Sequence, residues 1–596
     1  MQTLKATVEK IIYYNEESGY LVAKCSSDSR EGFFTIVGNV ADPTPGLTLQ
    51  IKGEWLIHPK YGKQFKLQSY TKLPPTTKEG IEKYLGSGII EKIGPGISAR
   101  IVRHFGKDTL KVIEENPDRL EEVEGIGPKR KQNILSGWEK QKKAKQIMLY
   151  LYSLGIGSSA ATKIYKTYGE EAFEKIQENP YRLAEDIFGV GFKTADAIAR
   201  NLGVKKDSPL RIKAGIDYIL VQSAEQGHTY LPPEELKKKV IKLLDVEEEL
   251  LDEVISTLQQ EKKIIVENGA VYHPSLYSAE VGVADKLSRL VSKAKESLPL
   301  GWKNMIDWVE KKQKMKLSSE QRKAVETAIF EKVMVLTGGP GTGKTTTLKS
   351  IVLLFEEFGL KTFLAAPTGR AAKRLSQATD RDASTIHRLL GYVPGQGFMK
   401  NQKNKLKADA VIVDEVSMID LILMNSLLKA LPSHCRLILV GDADQLPSIG
   451  AGNVLKDIIQ SGVISVVKLE EIFRQARKSL IVVNAHRVNK GEFPYLPPSG
   501  GKDFYFLQES DPTKVEAIIV NLCCKELTRK FGFDPFQDIQ VVSPLYKGAV
   551  GVERLNNILQ KRLNPDGPSL LRGNTVFRVG DKVMPVSYTH LTLPTN

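Results

Sequence analysis

Residues 333–355 combine an apolar run, a glycine-rich loop and a stretch typical of a helix, VMVLTGGPGTGKTTTLKSIVLLF. From Gly338 to Thr345 the loop matches G-x-x-x-x-G-K-[ST], a pattern whose backbone N–H groups surround phosphates. Lys344 is predicted to reach the β- and γ-phosphates, and the Thr345 hydroxyl to bind Mg²⁺. The predicted nucleotide-binding set in this loop is Gly338, Gly339, Pro340, Gly341, Thr342, Gly343, Lys344, Thr345 and Thr346.

A second apolar run, VIVDEVSMID, contains adjacent carboxylates. Asp414 is predicted to hold the Mg²⁺ shell, and Glu415 to orient and deprotonate the attacking water. Gln445 lies at the polar tip of a third run, LILVGDADQLPSIGAG, where it is predicted to sense the γ-phosphate. Arg474 in LEEIFRQA is predicted to stabilise transition-state charge from a second lobe. These residues predict ATP hydrolysis, with ATP and Mg²⁺ bound.

Seven segments occur in a fixed order: LSSEQRKAV, GGPGTGKTT, LAAPTGRAAKRL, STIHRLLG, VDEVSMID, LVGDADQLPSIGAG and LEEIFRQA. They resemble helicase motifs Q, I, Ia, Ib, II, III and IV of the RecD/TraA group of superfamily 1B. The resemblance extends from the first residue to Met584 and is to the long, stand-alone RecD-like form. It implies a motor with two RecA-like lobes that hydrolyses ATP, moves 5′ to 3′ along single-stranded DNA and separates the duplex.

The resemblance also implies roles for four further residues. Gln321 matches the motif Q glutamine that reads the adenine edge, and Thr368 and Arg370 match a segment that touches the DNA backbone. His387 falls in the next DNA-side motif. A histidine among apolar residues is more often structural, so a structural role for His387 stays open.

Residues 391–409 are polar, glycine-containing and basic, and the family has a protruding β-hairpin here that acts as a pin against the duplex fork. A plain basic surface loop is the alternative. In the second lobe, QVVSPLYKGAVGVERLN (540–556) matches a family segment and is expected to be a strand that runs into a turn with Tyr546 and Lys547. They either face DNA or are ordinary surface residues.

Two predicted domains precede the residues described above. Short alternating runs in residues 1–76 predict a small OB-like β-barrel. Residues 77–204 contain a duplication at an offset of 63 residues, with four Gly-x-Gly turns each followed by a helix-forming stretch. This resembles tandem helix-hairpin-helix modules, whose turns contact DNA phosphates or only connect packed helices. The turn glycines are Gly94, Gly96, Gly125, Gly127, Gly155, Gly157, Gly189 and Gly191.

The remaining boundaries follow from composition and the motifs. The chain is predicted to be a multidomain protein with a winged-helix-like or helical region, a solvated linker, a first α/β RecA-like P-loop lobe and an incomplete second one. Their ranges are 205–300, 301–316, 317–455 and 456–585.

The 596 residues carry a net charge of +15, which favours a polyanionic partner such as nucleic acid. The expected partner is single-stranded and forked DNA, bound by a monomer. The four cysteines form no CxxC pair, so neither a zinc ribbon nor a disulfide framework is indicated, and a reducing cytoplasm is expected. The N-terminus lacks the apolar core of a signal peptide, and no apolar run reaches membrane-spanning length.

The family resemblance implies that an SH3-like insertion and motifs V and VI follow GDKVM. Nothing that resembles these segments is present in the sequence. The last residues, 586–596, contain Thr589 and His590 without a strand–loop–helix context. They match a translated sequencing adapter and are expected to be an artefact. The expectation follows that the chain hydrolyses ATP poorly.

Three alternative functions stay open. The first is a DNA-binding scaffold with a vestigial nucleotide switch, against which the intact set of P-loop, carboxylate and sensor residues argues. The second is an RNA-directed helicase: no aromatic RNA-reading signature is evident, but the residues do not distinguish a preference for DNA from one for RNA. The third is a nuclease-associated subunit, although no nuclease motif is present.

Overall fold

The computed structural model describes residues 2–14, 20–27, 30–40, 43, 47–58, 62–73, 78, 81–82, 85, 95–187, 189–292, 302–471, 479–497, 503–572 and 575–583. The chain divides into two compact units, Met1–Glu471 and Ile472–Asn596. Gly94, Arg474 and the expected adapter-derived tail at 586–596 lie outside the described residues.

The N-terminal region forms a closed five-stranded barrel, because alternate residues of each strand face one core. Ala6, Val8, Leu21 and Ala23 are fully buried there. The strand order is β1-β2-β3-β5-β4, closed by antiparallel pairing of β1 with β4, and only β3 and β5 run parallel. The OB-like barrel is confirmed. Its strands are β1 (Gln2–Tyr14), β2 (Tyr20–Ser27), β3 (Arg30–Asn39), β4 (Thr48–His58) and β5 (Gly62–Leu73).

The helical region that follows shows the duplication directly. Helix α1 (Pro95–Phe105), a 3₁₀ turn and α2 (Thr109–Glu115) recur 63 positions later as α4 (Ser158–Tyr168), a 3₁₀ turn and α5 (Ala172–Glu178). Gly125, Gly155 and Gly189 have φ values of +88°, +79° and +89°, which suit glycine alone. The helix-hairpin-helix prediction is confirmed. The remaining helices are α3 (Pro128–Ser153), α6 (Arg182–Asp186) and α7 (Phe192–Asn201).

The next region has the element order of a winged helix. Helix α8 (Pro209–Glu225), strand β6 (Tyr230–Leu231), α9 (Pro233–Leu244), α10 (Glu249–Gln260), β7 (Ile265–Glu267) and β8 (Ala270–Tyr272) follow one another. The strands form one small sheet in the order β6-β8-β7. Asn268 and Gly269 both have positive φ, so the β7–β8 hairpin closes through a two-residue Asn-Gly turn.

Two helices lead into the P-loop lobe, and both pack on it. Helix α11 (Pro274–Val291) contributes Val283 and Leu287 to one core of the lobe, and α12 (Trp302–Gln313) contributes Ile306 and Val309 to the other. Helix α12, which lies within the predicted linker 301–316, is therefore packed on the lobe, and the prediction of a solvated linker is wrong for this helix. Ile306 and Val309 are fully buried because their i, i+3 spacing aligns them on one helical face.

The first RecA-like lobe is built on a six-stranded parallel sheet in the order β11-β10-β14-β15-β9-β16. Both faces are covered, with Val335 in one core and Leu336 in the other, which explains the continuous apolar runs. The strands of this region are β9 (Val333–Gly338), β10 (Thr362–Ala366), β11 (Ala383–Thr385), β12 (Tyr392–Val393), β13 (Gly397–Phe398), β14 (Ala410–Val413), β15 (Arg436–Gly441) and β16 (Ser465–Leu469).

The helices of this lobe alternate with its strands, as in other parallel α/β folds. They are α13 (Ser319–Phe330), α14 (Lys344–Glu357), α15 (Gly369–Thr379), α16 (Ile386–Leu389), α17 (Leu421–Ala430) and α18 (Val454–Gln460).

The expected pin at 391–409 is shorter than its sequence range. Strands β12 and β13 form only two residue pairs, Tyr392 with Phe398 and Val393 with Gly397. Beyond them, Asn401 organises a compact loop, because its Oδ1 accepts hydrogen bonds from the backbone amides of Lys403 (2.9 Å) and Asn404 (3.2 Å). These Asn-centred hydrogen bonds replace strand pairing in the second half of the segment.

The second unit contains α19 (Leu480–Asn489), α20 (Pro512–Asn521), a π-turn, α21 (Leu527–Phe531), α22 (Val552–Leu563) and the hairpin of β17 (Ser569–Arg572) with β18 (Thr575–Arg578). The expected strand at 540–546 has no strand pairing. An extended segment becomes a strand only when a neighbour pairs with it, and β17–β18 is the one strand pair among the described residues of this unit.

No helix in the described parts of the chain is both long enough and apolar enough to cross a membrane.

Candidate active site

The phosphate-binding loop connects β9 to α14 at the carboxyl edge of the parallel sheet. A Cβ at Gly338 would lie 2.6 Å from the Leu469 carbonyl oxygen, so the loop passes β16 too closely for any side chain. Gly341 and Gly343 have φ values of +78° and +83°. Helix α14 begins at Lys344 with no side-chain cap on its N-terminus, which leaves amides that suit a phosphate.

Lys344 points back into the loop that precedes it. Its Nζ donates hydrogen bonds to the carbonyl oxygens of Gly338 (2.5 Å) and Gly339 (3.0 Å). Thr342 braces the same turn through a 2.9 Å bond from Oγ1 to the Gly339 carbonyl. Burial lowers the pKa of the Lys344 ammonium, opposed first by the charge of Asp442. The loop is therefore held in shape by the cation that is predicted to meet the phosphates.

The two predicted carboxylates follow β14, on the same edge of the sheet. The Glu415 amide donates to Asp414 Oδ1 at 2.9 Å. Burial raises the pKa of Asp414, and burial together with the charge of Asp414 raises that of Glu415. Glu415 has φ +55° and ψ +42°, a conformation that costs a residue with a Cβ free energy. Strain of this kind concentrates at functional positions.

Strand β15 lies between β14 and β9 in the sheet, and its end supplies a residue that sequence reasoning missed. Asp442 is only 4% exposed, its Oδ1 accepts from the Asp444 amide at 3.1 Å, and it is the largest favourable charge acting on Lys344. Its position directly after a buried strand was the available signal. Gln445 follows on the exposed part of the same loop, three residues beyond Asp442.

Arg374 of α15 is a second residue that the sequence did not single out. Burial raises the pKa of Asp414 and of Glu415, and the charge of Arg374 partly offsets that rise, while it adds to the lowering of the Lys344 pKa by burial. A cation from the lobe itself therefore acts on the carboxylate pair. An arginine in a basic helix gives no sequence signal for such a role.

Gln321, predicted to read the adenine edge, is buried beside the phosphate-binding loop. It is 1% exposed and forms a capping box with Ser318: the Gln321 amide donates to Ser318 Oγ (3.2 Å), and the Ser318 amide donates to Gln321 Oε1 (3.0 Å). Its Nε2 lies 3.5 Å from the Gly343 carbonyl oxygen. The side chain thus connects the start of α13 to the phosphate-binding loop.

An open groove of about 490 Å³ runs along α14 from the phosphate-binding loop. Its lining includes Thr345, Thr346, Lys349, Met315 and Asp380. The groove therefore places both apolar and polar side chains beside the predicted phosphate site.

The predicted DNA-side residues of this lobe lie at the ends of β10 and β11. The Thr368 hydroxyl caps α15 by accepting from the Ala371 amide at 3.2 Å, while Arg370 is exposed. His387 packs in an aromatic cluster, with ring centroids 5.6 Å from both Tyr392 and Phe398. The histidine therefore supports the base of the short hairpin.

In each of the two helix-hairpin-helix repeats, a basic side chain lies beside the glycine of the second turn. A Cβ at Gly125 would lie 2.9 Å from Arg100 Nη1, and one at Gly189 would lie 3.3 Å from Lys163 Nζ. Arg100 and Lys163 are separated by the repeat offset of 63 residues. The glycines Gly127, Gly157 and Gly191 precede their helices without side-chain caps.

In the second unit, Tyr546 is 69% exposed and Lys547 is exposed. The Tyr546 carbonyl oxygen accepts from the Glu553 amide at 3.1 Å, so the turn before α22 is ordered. No cluster of three or more His, Cys, Asp and Glu side chains that could hold a metal ion occurs among the described residues.

Four family models match consecutive parts of the chain. They are the "ATP-dependent DNA helicase YrrC, OB-fold domain" over residues 1–75, the "SAM-like Helix-hairpin-helix tandem" over 87–140, the "ATP-dependent RecD2 DNA helicase HHH domain" over 140–230 and the "AAA domain" over 321–451.

Among curated proteins, the ATP-dependent RecD2 DNA helicase of Deinococcus radiodurans is 32% identical over 96% of this chain and 80% of its own length. The RecBCD enzyme subunit RecD of Mycobacterium tuberculosis is 38% identical over 34% of this chain and 40% of its own length. A solved structure of the Pif1 helicase from Candida albicans aligns with 38% of this chain and 56% of its own, at 22% identity and a TM-score of 0.26.

A parallel sheet that carries a phosphate-binding loop and paired carboxylates at one edge, joined to a barrel and duplicated hairpins, defines an ATP-dependent DNA helicase. The similarity to the Deinococcus protein extends over nearly the whole chain. The chain belongs to the RecD2 family of ATP-dependent DNA helicases.

Proposed function

We propose that this helicase moves 5′ to 3′ along single-stranded DNA and separates the duplex at a fork. The observation that carries the proposal is the meeting of Lys344, Asp414 and Glu415 at the carboxyl edge of one sheet. The direction of movement comes from the motif resemblance.

The proposed chemistry is hydrolysis of the γ-phosphate bond by water. Thr345 is exposed and Asp414 carries a carboxylate, which suits Mg²⁺ because this ion binds through few protein oxygens together with the phosphates. When bound there, Mg²⁺ would neutralise charge on the phosphates. Lys344 binds the β- and γ-phosphates. Glu415, whose pKa is raised by burial and by Asp414, orients the water and takes its proton.

Gln445 and Arg474 complete the proposed nucleotide site. Gln445 stands on an exposed loop directly after β15, where it senses the γ-phosphate. Arg474 is proposed from the resemblance as the cation that stabilises transition-state charge.

Single-stranded DNA is proposed to cross the lobe near Arg370 and the hairpin at Tyr392–Phe398. The hairpin packs against the aromatic cluster that contains His387. Because this packing keeps the hairpin in place, it can act as a rigid wedge at a fork. Arg100 and Lys163, beside the turns at Gly125 and Gly189, support phosphate contacts by the duplicated hairpins that are independent of base sequence.

Forked duplexes with a single overhang test the direction of movement. Strand separation from a 5′ overhang and none from a 3′ overhang is expected, at a rate limited by the poor ATP hydrolysis expected of this chain, with the Deinococcus relative as positive control. Separation from the 3′ overhang alone refutes the direction, and no separation of either substrate under conditions where the relative is active refutes the motor proposal for this chain.

Lys344→Ala distinguishes a motor from a scaffold with a vestigial switch. The variant is expected to lose binding of a fluorescent ATP analogue and strand separation, while single-stranded DNA affinity changes less than about twofold. Lys323→Ala, an exposed lysine on α13 of the same lobe, is the matched control and should resemble the wild type. A Lys344→Ala variant that keeps full activity contradicts the motor.

A further inference from the structure

One helix, α8, extends from the second helix-hairpin-helix repeat to the loop that carries Gln445. In its first turn, Arg211 Nε forms a buried ion pair with Asp196 Oδ1 of α7 at 2.8 Å. Just beyond its last turn, the Gly227 carbonyl oxygen accepts a hydrogen bond from the Gly452 amide at 3.0 Å. The 17 residues of α8 span about 25 Å. A single rigid element therefore connects two sites that are distant from each other.

We call residues 442–452, between β15 and α18, the sensor loop. Its beginning is fixed, because the Ala443 amide donates to Thr337 Oγ1 at 3.3 Å. Its middle is open to solvent: Gln445 is exposed, and Leu446 is 87% exposed. The predicted γ-phosphate sensor thus lies on the exposed part of a loop that is anchored at both ends.

The far end of the sensor loop is held by Ser448. Its Oγ lies 2.9 Å from the Gly450 carbonyl oxygen and 3.0 Å from that of Gly452, and the two acceptors share its one hydroxyl proton. The Ala451 carbonyl oxygen accepts from the Leu421 amide of α17 at 3.0 Å. Ser448 therefore fixes the turn in which Gly452 presents its amide to the end of α8.

Close packing surrounds the hydrogen bond between Gly452 and Gly227. A Cβ at Gly452 would lie 3.4 Å from Thr229 Cγ2 and 3.2 Å from Leu421 Cβ, and its φ is +101°, so the position suits glycine. Ala224, near the end of α8, packs against the core of the lobe. The hydrogen bond is therefore part of a packed interface between the winged-helix region and the sensor loop.

Helix α11 closes the same interface from another side. The Tyr272 hydroxyl of β8 donates to Glu280 Oε1 of α11 at 3.3 Å. Two residues further along α11, a Cβ at Gly282 would lie 2.6 Å from Asn425 Oδ1 of α17. Because no gap separates these elements, a displacement of the loop end is passed on to the winged-helix region.

We propose that α8 couples the nucleotide site to the helix-hairpin-helix repeats, with Ser448 and Arg211 as the positioning residues at its two ends. A γ-phosphate that engages Gln445 orders the sensor loop, since a ligand reduces the local opening of the loop it contacts. The hydrogen bond from Gly452 to Gly227 then opens less often, and α8 carries the change to the repeat. The inference rests on the proposed function, in which Gln445 senses the γ-phosphate.

The two ends of α8 can be disconnected one at a time. Ser448→Ala removes the hydroxyl that fixes the turn at the nucleotide end and leaves the ion pair at the other end intact. Arg211→Lys keeps a positive charge beside Asp196. One ammonium group cannot replace a guanidinium that bonds both carboxylate oxygens and the carbonyl oxygens of Lys206 and Leu244.

The test measures hydrogen exchange of the full chain by mass spectrometry, with and without a non-hydrolysable ATP analogue. Three segments report: the phosphate-loop segment 338–346, the sensor segment 450–455 and the hairpin segment 192–201. In the wild type the analogue should slow exchange in all three, by about fivefold or more at the two distant segments, as a typical coupling energy implies. Since no hydrolysis is needed, the test suits a chain that is expected to hydrolyse ATP poorly.

Each variant has its own expected pattern. Ser448→Ala should keep the response of the phosphate-loop segment and lose that of the sensor and hairpin segments. Ser448→Thr, which retains a hydroxyl, should restore both. Arg211→Lys should lose the response of the hairpin segment alone, and its intact response at the sensor segment excludes general unfolding as the cause.

The matched control is Ser426→Ala in the same lobe. The Ser426 hydroxyl donates to the Ile422 carbonyl oxygen of its own helix at 2.8 Å, so this variant should respond like the wild type. Wild-type responses at all three segments in Ser448→Ala overturn the role of Ser448, and a hairpin segment that responds fully in Arg211→Lys overturns the route through α8.

The coupling and the proposed function fail in different ways. Protection of the phosphate-loop segment without any change at the two distant segments of the wild type removes the coupling and leaves the nucleotide site standing. An analogue that protects none of the three segments refutes the nucleotide site of the motor, and the coupling with it.

Discussion

The guanidinium of Arg211 holds the carboxylate of Asp196 by two hydrogen bonds, 2.8 Å from Nε to Oδ1 and 3.2 Å from Nη2 to Oδ2. Both side chains are buried, with 3% and 6% exposed. Nη1 of Arg211 also donates to the carbonyl oxygens of Lys206 (2.9 Å) and Leu244 (3.0 Å). Asp196 belongs to α7 and Arg211 to α8, so the pair joins the second helix-hairpin-helix repeat to the winged-helix region.

Arg211→Ala should destabilise this joint strongly. Removing one partner leaves the Asp196 carboxylate buried without its main counter-charge, a change that costs about 3–5 kcal/mol. The measurement is the shift of the calorimetric transition that contains this region, since a multidomain chain need not unfold in one step.

Arg200→Ala is the matched control for that joint. Arg200 Nη2 also donates to Asp196, at 2.6 Å, but its side chain is 64% exposed. Its removal should cost less than about 1 kcal/mol, since solvent screens an exposed partner. Equal shifts for the two variants would contradict the assignment of Arg211 as the principal contact.

The same carboxylate makes the stability of the joint depend on acid. Burial alone would raise the pKa of Asp196, but hydrogen bonds from Arg211, Arg200 and Tyr181 outweigh it, and the pKa lies below its ordinary value. A group with a depressed folded pKa contributes stability above its unfolded value of about 3.9, and loses it as pH falls through the folded value.

The melting temperature of the wild type should therefore fall more steeply below about pH 4 than that of Asp196→Asn, whose amide does not titrate. Calorimetry at a series of pH values between neutral and acid measures the two slopes. Parallel slopes would show that Asp196 keeps an ordinary pKa in the folded chain.

Substitutions at Glu415 should separate backbone strain from catalysis. Its left-handed conformation is tolerated better by asparagine than by glutamine. Both Glu415→Asn and Glu415→Gln remove the proposed base and should abolish ATP hydrolysis. Glu415→Asn should be the more stable by up to about 1 kcal/mol.

Because both substitutions remove the same charge beside Asp414, their difference isolates the backbone contribution. Thermal denaturation and an ATPase assay of the two variants are the measurements. Equal stability of Glu415→Gln and Glu415→Asn would show that the backbone at position 415 is not strained. ATP hydrolysis retained by either variant would show that Glu415 is not the general base.

Gln321→Ala should act through the phosphate-binding loop. Loss of the capping box with Ser318 should destabilise the start of α13 by about 1 kcal/mol. Loss of the contact to Gly343 should lower the binding affinity for all nucleoside triphosphates by a similar factor. Competition binding of ATP and GTP measures this. A selective loss of ATP affinity would instead support the base-reading role that the motif resemblance implies.

Local signals account for the parts of the fold that could be predicted. Five alternating runs with breaks between them define the barrel strands, since period-two burial needs no distant information. The phosphate-binding loop and the turns at Gly125 and Gly189 were equally readable, because a positive φ demands glycine within a few residues.

Other features needed the folded chain. The sequence predicted a solvated linker where the helix Trp302–Gln313 lies. The structure shows that Ile306 and Val309 of this helix pack in the core of the lobe. The expected strand at 540–546 lacks pairing in the described residues of its unit. Pairing depends on neighbours that are distant in sequence, so an apolar run cannot predict it alone.

The sequence by itself determined that the chain has a phosphate-binding loop followed by paired carboxylates, because those motifs are contiguous and their chemistry depends on residue type and short spacing. Only the tertiary structure placed Asp442 and Arg374 around Lys344, turned Gln321 inward and joined Asp196 to Arg211. Charges and hydrogen bonds between distant segments arise from packing, where burial and proximity decide each partner.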